Sequence, residues 1–295
     1  MNAKLLPPQL LAGLSSLELI ARTVVEGALV GLHRSPFFGF SQEFAEYRAY
    51  VEGDDTRFID WNVYARTGRT FIKRFLGETN SHLMILLDAS ASMGFASGSI
   101  SKFRYAQMLA ASLAWLAARQ HDAIGLIAFD EDVRLLRPPS SRRGQLPALL
   151  HAIDALTPAS RTAYGPALEG LRALQARRGM VAVISDFYCD PQQMLEAVRP
   201  LAFQGQDLVL FQVLDPAELK PSVRQATLFE DMESGASIEV TPDFMQDQYP
   251  ARIRAHIRAL ADAARGMGAD HVLIDSAAPL DRPLRQYLMF RGHRA

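Results

Sequence analysis

Four continuous apolar runs constrain the fold of this chain more than any other feature. They are HLMILL from residue 82, AIGLIAF from residue 123, MVAVIS from residue 180 and DLVLFQVL from residue 207, and stretches long enough for helices separate them. Strands that helices cover on both faces carry such unbroken runs, whereas strands with one face in water alternate polar and apolar residues. The pattern predicts an α/β fold with a doubly wound, mostly parallel sheet.

An acidic residue directly follows each of these runs: Asp88, Asp130 and Asp186 after the first three, and Asp215, which is more typical of a loop or helix cap, after the fourth. The carboxyl ends of parallel strands lie at one edge of a sheet, where α/β proteins bind their ligands. The first acid opens the segment DASASM, which also places Ser90 and Ser92 at alternate positions. Carboxylate and hydroxyl oxygens suit hard cations such as Mg²⁺ or Mn²⁺. These residues predict a divalent cation site, whereas FDED after the second run predicts a turn.

A further hydroxyl is offered by Thr162, which precedes a predicted helix in the segment SRTAYGPAL. Thr157 is a less favoured substitute for it. The bland alternative for Asp88, Ser90 and Ser92 is a capped strand-to-helix turn, since Asp and Ser favour such turns on their own. The sequence motif by itself leaves both interpretations open.

The segment DASASM resembles the D-x-S-x-S signature of the metal-ion-dependent adhesion site in von Willebrand factor type A domains. IGLIAFDEDVRLLRPPSS is similar to the strand pair that follows in that fold, and the resemblance covers about residues 82–275. It implies that Mg²⁺ or Mn²⁺ binds at this edge, with one coordination position left for an Asp or Glu of a protein partner. The ligands that it implies are Asp88, Ser90, Ser92, Thr162 and Asp186.

A second resemblance lies in the N-terminal part, where GLHRSPFFGFSQEFAEYRAYVEGDDTRFIDWNVYARTG resembles the signature of a bacterial von Willebrand A-like family of unassigned role. Its core is the motif G-D-D-x-R-x-I-D-W, and Glu52 stands where the family has proline. Members are often encoded beside MoxR-type AAA+ ATPases. The resemblance implies a protein–protein interaction module that acts with such an ATPase in the assembly or maturation of client proteins. The matching residues are His33, Ser35, Gly39, Glu43, Phe44, Arg48, Tyr50, Gly53, Asp54, Asp55, Arg57, Asp60, Trp61, Ala65 and Arg66.

Charges of both signs surround this motif and predict a network of ion pairs and hydrogen bonds that holds an irregular subdomain together. Trp61 and Phe58 are predicted to be core residues. The chain as a whole divides into an N-terminal helical and β-containing extension (1–80), a von Willebrand A-like domain (81–275) and a C-terminal helical tail (276–295). A β-hairpin insertion is predicted at 225–241, with its turn at the sequence ESG.

The overall charge and apolar segments define the expected environment. A formal net charge of −1 gives no global field for nucleic acid, so no nucleic-acid partner is expected. Charged and hydroxyl residues interrupt the N-terminal apolar segments, so no membrane span is predicted. The single cysteine, Cys189, excludes an internal disulfide and indicates a reducing compartment. A cytoplasmic protein is therefore expected.

The alternatives to an interaction module are an enzyme and a nucleic-acid-binding von Willebrand A-like protein. A Mg²⁺-dependent phosphohydrolase would use Asp88 as its nucleophile and a second acid two residues later as its proton donor. Ser90 stands at that second position, and no lysine is clearly placed to neutralise a transferring phosphoryl group. No glycine-rich phosphate loop occurs at a strand-to-helix junction. The expectation is a protein that is not an enzyme.

Overall fold

The computed structural model describes residues 7–14, 16–32, 44–51, 59–75, 82–174, 179–223 and 225–294. These residues form two compact units, a larger one of residues 1–29 with 81–295 and a smaller one of residues 30–80. The N-terminal extension predicted from the sequence (1–80) ends at the same residue as the smaller unit. Residues 1–29 of that extension belong to the larger unit. Eight of the fifteen matching residues of the N-terminal family signature lie outside the described ranges, namely His33, Ser35, Gly39, Glu43, Gly53, Asp54, Asp55 and Arg57.

The bounds of the elements are as follows. The helices are α1 (Pro8–Ala12), α2 (Leu17–Leu32), α3 (Trp61–Thr67), α4 (Lys102–Arg119), α5 (Gln145–Asp154), α6 (Tyr164–Ala173), α7 (Pro191–Phe203), α8 (Pro216–Leu219), α9 (Tyr249–Gly266) and α10 (Asp281–Arg294). A 3₁₀ turn (Ala91–Gly94) precedes α4, and a π-helical turn (Phe244–Gln248) leads into α9. The strands are β1 (Phe44–Ala49), β2 (Phe71–Phe75), β3 (His82–Asp88), β4 (Ala123–Phe129), β5 (Val133–Ser140), β6 (Met180–Ser185), β7 (Asp207–Leu214), β8 (Thr227–Glu230), β9 (Ser237–Val240) and β10 (Asp270–Asp275).

The larger unit is built on a six-stranded sheet with the order β10-β7-β6-β3-β4-β5. The strands from β10 to β4 pair in parallel, and β5 adds an antiparallel edge to β4. The four apolar runs form β3, β4, β6 and β7, which are buried over almost their whole length. This arrangement confirms the predicted doubly wound, mostly parallel α/β fold.

Helices cover both faces of this sheet. Leu168 of α6, Val198 of α7 and Leu260 of α9 share one core cluster with Leu86 and Val183 of the strands. The strand residues between these point to the opposite face of the sheet, because successive side chains in a strand alternate. Helix α4 packs on that face and is buried along nearly its whole length. The coverage on both sides explains why these strands are apolar throughout.

The smaller unit contains the antiparallel pair of β1 and β2, with Tyr47 opposite Lys73, and the short helix α3. The carboxylate of Asp60 caps α3 by accepting the backbone N–H groups of the second and third helical residues. Asp60 is buried, whereas Trp61 is 63% exposed. Successive residues of a helix point about 100° apart, so the Trp61 side chain can face solvent while the neighbouring Asp60 side chain is buried. The prediction that Trp61 is a core residue is therefore wrong; Phe58 lies outside the described residues.

The predicted insertion at 225–241 is a β-hairpin of β8 and β9, in which Phe229 pairs with Ile238. Gly235, with φ 71°, lies in its turn, where a backbone of this hand favours glycine. The Asp231 carboxylate accepts the Glu233 backbone N–H at 2.9 Å and shapes the turn from within. The hairpin thus presents a well-defined tip to the rest of the larger unit.

Candidate metal centre at the carboxyl edge of the sheet

The predicted ligands surround the point where the strand order of the sheet reverses. Asp88 is the last residue of β3, and Asp186 directly follows β6. These strands are neighbours, although the chain forms β4 and β5 on the other side of β3 before it returns to β6. The loops that leave β3 and β6 therefore diverge, and they open a crevice at the carboxyl ends of the strands, which is where such folds bind ligands.

Four of the five predicted ligands form a chain of hydrogen bonds in this crevice. The Ser92 hydroxyl donates to Asp186 Oδ2 at 2.8 Å, and Ser90 Oγ lies 3.2 Å from Ser92 Oγ. The Ser90 backbone N–H donates to Asp88 Oδ1 at 2.9 Å. Ser92 is partly exposed, whereas the other three residues are buried. The four side chains of Asp88, Ser90, Ser92 and Asp186 are termed the oxygen cluster below.

Asp88 is fully buried within the oxygen cluster. The Ser185 hydroxyl donates to Asp88 Oδ2 at 2.6 Å, and the Tyr164 hydroxyl lies 2.8 Å from Ser185 Oγ. Burial, followed by the charge of Asp186, raises the pKa of Asp88 to about 7, although the hydrogen bonds from Ser185 and Ser90 oppose this shift. The site thus holds two carboxylates whose mutual repulsion a bound cation would relieve.

A buried lysine, which sequence reasoning did not identify, lies against the oxygen cluster. The Lys102 ammonium donates to Asp186 Oδ2 and to Glu218 Oε1, both at 2.8 Å. Burial lowers the pKa of Lys102, but the charges of Asp186 and Glu218 outweigh it and raise the pKa above its ordinary value. In the sequence no lysine was clearly placed to neutralise a transferring phosphoryl group, whereas the structure brings Lys102 against Asp186. Lys102 is the first residue of α4, a position that the helix dipole disfavours for a cation and that gives no sequence signal of a buried ion pair.

Two loops at this edge hold strained backbone. Phe187 and Ser160 both adopt φ 56°, a left-handed conformation that costs non-glycine residues about 1–3 kcal/mol and that clusters at functional sites. The Ala91 backbone N–H donates to the Ser160 carbonyl at 2.9 Å, and the Ala159 N–H donates to the Ala89 carbonyl at 2.8 Å. These bonds tie the loop after β3 to the loop before α6, so the oxygen cluster has a rigid frame.

Three oxygens of the oxygen cluster have the spacing that a small divalent cation would need. Adjacent oxygens in a Mg²⁺ octahedron lie about 2.9 Å apart, because each Mg–O distance is about 2.0–2.1 Å. The spacings of Ser92 Oγ from Ser90 Oγ, 3.2 Å, and from Asp186 Oδ2, 2.8 Å, match the edges of such a shell. Across the described part of the chain, no group of three or more His, Cys, Asp or Glu side chains is arranged to hold a metal ion. A cation at this site therefore depends on the serine hydroxyls as well as on the two carboxylates.

The fifth predicted ligand, Thr162, bonds a carboxylate from the hairpin. Its hydroxyl donates to Glu233 Oε1 at 2.8 Å, and its backbone N–H donates to Glu233 Oε2 at 3.1 Å. The Arg161 side chain donates to the Glu233 carbonyl at 3.3 Å. At the rim of the crevice, the Glu233 carboxylate thus binds Thr162, the residue that the family resemblance predicts as a metal ligand.

Asp130 ends β4 at the same edge but forms a turn. Its Oδ1 accepts the Asp132 backbone N–H at 3.1 Å, and its Oδ2 accepts from the Arg134 side chain at 2.8 Å. These contacts agree with the turn predicted for FDED. The carboxylate of Asp130 is held by this turn and by its ion pair, apart from the chain of bonds that forms the oxygen cluster.

Polar residues behind the crevice support it. Gln212 of β7 donates to the Asp186 carbonyl at 3.0 Å, and its side-chain oxygen lies 3.1 Å from His271 Nε2. Burial, followed by the charge of His256, lowers the pKa of His271 to about 4. Burial also raises the pKa of the Cys189 thiol to about 12, which keeps it protonated. Little in the sequence pointed to these residues, since the one visible feature is Gln212 within the apolar run DLVLFQVL.

Comparison with solved structures gives neighbours whose likeness to this chain concerns the fold alone. The chain is similar to the conserved hypothetical protein BatB from Bacteroides thetaiotaomicron, with 17% identity, 73% of this chain and 100% of that one covered, and a TM-score of 0.49. It is also similar to the VWA domain of SpRpn10, with 13% identity, 70% and 94% covered, and a TM-score of 0.45. The order and direction of the strands, a parallel sheet with one antiparallel edge, agree with the predicted von Willebrand A-like fold.

The expected cytoplasmic location is contradicted by this comparison. Another similar structure is named as an aerotolerance-related membrane protein from Bacteroides fragilis, with 17% identity, 70% of this chain and 97% of that one covered, and a TM-score of 0.49. A single cysteine and the lack of a predicted span were too weak a basis for the expectation. Among the described helices, none combines the length and hydropathy needed to cross a bilayer.

Curated relatives and a family match identify the chain more closely. Uncharacterized proteins from Mycobacterium bovis and Mycobacterium tuberculosis are 30% identical over 267 residues, which cover 89% of this chain and 83% of theirs. The family described as "Protein of unknown function DUF58" matches residues 46–263. That range includes the G-D-D-x-R-x-I-D-W motif, the oxygen cluster and the hairpin. The chain therefore belongs to the DUF58 family, a von Willebrand A-like family of unknown function.

Proposed function

We propose that this protein is a metal-dependent protein–protein interaction module whose oxygen cluster binds Mg²⁺ or Mn²⁺. The observation that carries this proposal is the convergence of four oxygen-bearing side chains from two separate loops, in which the oxygens of Ser90, Ser92 and Asp186 have spacings that suit an octahedral shell. When bound, the cation would supply positive charge and a coordination position for the Asp or Glu of a partner. The partly dry crevice favours that pairing, because charges attract more strongly there than in water.

The residues of the chain have distinct roles in this proposal. Asp88 and Asp186 supply the negative charge, and Ser90 and Ser92 supply neutral oxygens. A carboxylate oxygen has lone pairs to spare, so Asp186 can keep its bonds while it also faces a cation. Lys102 holds Asp186 in place and offsets part of its charge. Only the side of the cluster at Ser92 is open to a partner.

We further propose that the partner is a MoxR-type AAA+ ATPase, a client protein, or both in turn. The support is the resemblance of the N-terminal motif to a family often encoded beside such ATPases. The ATPase would supply energy, and this chain would recognise the client through an exposed Asp or Glu.

The phosphohydrolase alternative is less favoured by the geometry. Asp88 would have to attack a phosphorus atom, yet it is fully buried and both of its oxygens accept hydrogen bonds. Lys102 is the one observation in favour, since its ammonium lies in the crevice. Its charge is already shared between Asp186 and Glu218, which leaves little for a transferring phosphoryl group.

The test is a calorimetric titration of the protein with Mg²⁺ and with Mn²⁺. We expect the double variant Ser90→Ala/Ser92→Ala to weaken cation binding by more than about tenfold, since two oxygens of the shell are lost. The matched control is Ser112→Ala, which removes a buried hydroxyl that bonds only the Met108 carbonyl within α4. The control should bind the cation as the wild type does.

The same proteins then serve to capture a purified MoxR-type ATPase with and without a chelator. Binding that needs the cation, and that is lost in the serine double variant but kept in Ser112→Ala, would support the proposal. Equal cation binding by the wild type and the double variant would refute the assignment of the site.

A further inference from the structure

A two-residue segment of the hairpin already occupies the rim of the crevice. The Glu233 carboxylate accepts both polar hydrogens of Thr162, at 2.8 and 3.1 Å. The methyl group of the preceding residue, Met232, lies 3.6 Å from the position that a Cβ on Gly94 would take. Gly94 belongs to the same 3₁₀ turn as Ser92. The chain thus places an apolar side chain and a carboxylate, side by side, next to the oxygen cluster.

The apolar half of this pair lines a large cavity. The cavity has a volume of about 760 Å³, within the range of pockets that bind ligands. Its walls include Phe95, Tyr188, Phe229 and Tyr249, and both Ser92 and Met232 lie on its lining. Aromatic and methionine walls accept apolar side chains of various shapes. A segment that reached Ser92 from this side would leave its neighbouring side chain in the cavity.

The carboxylate half of the pair uses all the donors that Thr162 has. One backbone N–H and one hydroxyl are available, and both already bond Glu233. A carboxylate from another protein can therefore bind Thr162 only if it displaces Glu233. These two bonds and the Arg161 bond to the Glu233 carbonyl at 3.3 Å hold the segment that it displaces. That segment belongs to a two-stranded hairpin, a unit that is marginally stable alone, and its Met232 is 49% exposed.

We propose that the partner segment carries a large apolar residue followed by Asp or Glu, and that it binds by replacing Met232–Glu233 at the rim. This inference rests on the proposed function, because it names the chemistry of the partner for the same crevice. The apolar residue takes the place of Met232 at the cavity, and the acid takes the place of Glu233 on Thr162, next to the open side of the oxygen cluster. The hairpin tip acts as an internal stand-in that excludes segments lacking either feature.

The test uses a fluorescein-labelled peptide of the hairpin sequence itself, LFEDMESGASI, residues 228–238. In the opened variant, Met232→Ser/Glu233→Gln, the internal pair is lost, so we expect anisotropy in Mg²⁺ buffer to show binding at least about tenfold tighter than to the wild type. The wild-type hairpin competes at the high effective concentration of a tethered segment. A second peptide with SQ in place of ME should bind the opened variant at least about tenfold more weakly than the first peptide does.

The matched control is Leu228→Ser/Glu239→Gln, which makes the same chemical changes at a cross-strand pair of the same hairpin outside the cavity lining. It should bind the peptide no better than the wild type. Equal binding to the opened variant and the control, or equal binding of the two peptides, would overturn the inference. Circular dichroism confirms that each variant is folded.

Added chelator separates this inference from the proposed function. Selective peptide binding to the opened variant that persists without a cation would uphold the apolar–acidic preference and refute the dependence on metal. Cation binding in calorimetry with no selective peptide binding would overturn the inference and leave the proposed metal site standing.

Discussion

Two buried aspartates, Asp60 in the smaller unit and Asp186 in the larger, show how one residue type serves two purposes. Asp60 caps α3 and accepts the Tyr47 hydroxyl at 2.9 Å, so the hydrogen bonds described for it reach at most 13 residues along the chain. The Asp186 side chain accepts from Ser92 and Lys102, which are 94 and 84 residues away. A carboxylate whose partners are near in sequence shapes its own segment, whereas one whose partners are distant marks a site where loops converge.

The surroundings of the two acids differ in the same sense. Beside Asp60, the rings of Trp61 and Tyr64 meet edge to face at 6.0 Å, and both side chains are substantially exposed. Around Asp186, the ammonium of Lys102 lies 5.0 Å from the Tyr188 ring centroid, and it is sealed from solvent. Charge in the larger unit is therefore compensated inside the protein, which makes it costly to disturb.

The largest effect on stability is expected from Lys102→Met, which removes the cation that compensates the buried charge of Asp186. The variant leaves Asp186 and Glu218 buried without their cation, and the free energy of unfolding should fall by about 3–5 kcal/mol. The matched control is Arg104→Met in the same helix, whose ion pair with Asp154 is partly exposed. That change should cost less than about 1 kcal/mol. Urea unfolding of both variants makes the measurement.

Equal losses for the two variants would show that the buried network contributes no more than a surface pair. A second variant keeps the interpretation sharp: Lys102→Met/Glu218→Gln removes one of the two stranded carboxylates. It should recover part of the stability that Lys102→Met loses.

An intermediate effect is expected from Asp60→Ala. Loss of the helix cap and of the Tyr47 bond should cost about 1–2 kcal/mol, and it should be seen as faster hydrogen exchange in α3. Asp60→Asn keeps a side-chain oxygen for the cap, and it should cost less. Mg²⁺ binding should be unchanged in both variants, because the oxygen cluster lies in the other unit. A loss of cation affinity in either variant would contradict the contrast drawn between the two aspartates.

The effect that is smallest at neutral pH, and that grows only in acid, concerns the support behind Asp186. The pKa of His271 is lowered to about 4 by burial and then by the charge of His256, so the unfolded chain takes up the proton first as pH falls. The resulting stability is present above pH 6.5 and is lost as the pH falls through about 4. Thermal unfolding across this range should show a shallower pH dependence in His271→Gln. His151→Gln, at an exposed position on α5, should keep the wild-type dependence.

Much of the frame could be predicted from the sequence, because it depends on periodicity. Unbroken apolar runs predicted parallel strands covered on both faces, and a shared sheet edge placed Asp88 and Asp186 together. The alternation in DASASM brought Ser90 and Ser92 toward the same crevice. These features follow from local backbone geometry and from the rule that parallel strands have their carboxyl ends at one edge of the sheet. A few residues are enough to specify both. The binding of a cation there stays a prediction.

Only the tertiary structure decided what surrounds the oxygen cluster. A lysine at the start of an ordinary helix gives no sign that Asp186 and Glu218 will enclose it, and nothing local links Glu233 to Thr162, 71 residues earlier. The exposure of Trp61 likewise depends on which way the cap of α3 turns. Contacts of this kind are settled by how helices and the hairpin pack on the finished sheet, and that packing is a property of the whole core. The sequence alone therefore determined the frame and the meeting of four candidate ligands, and the folded core determined the charge balance and the internal occupant of the rim.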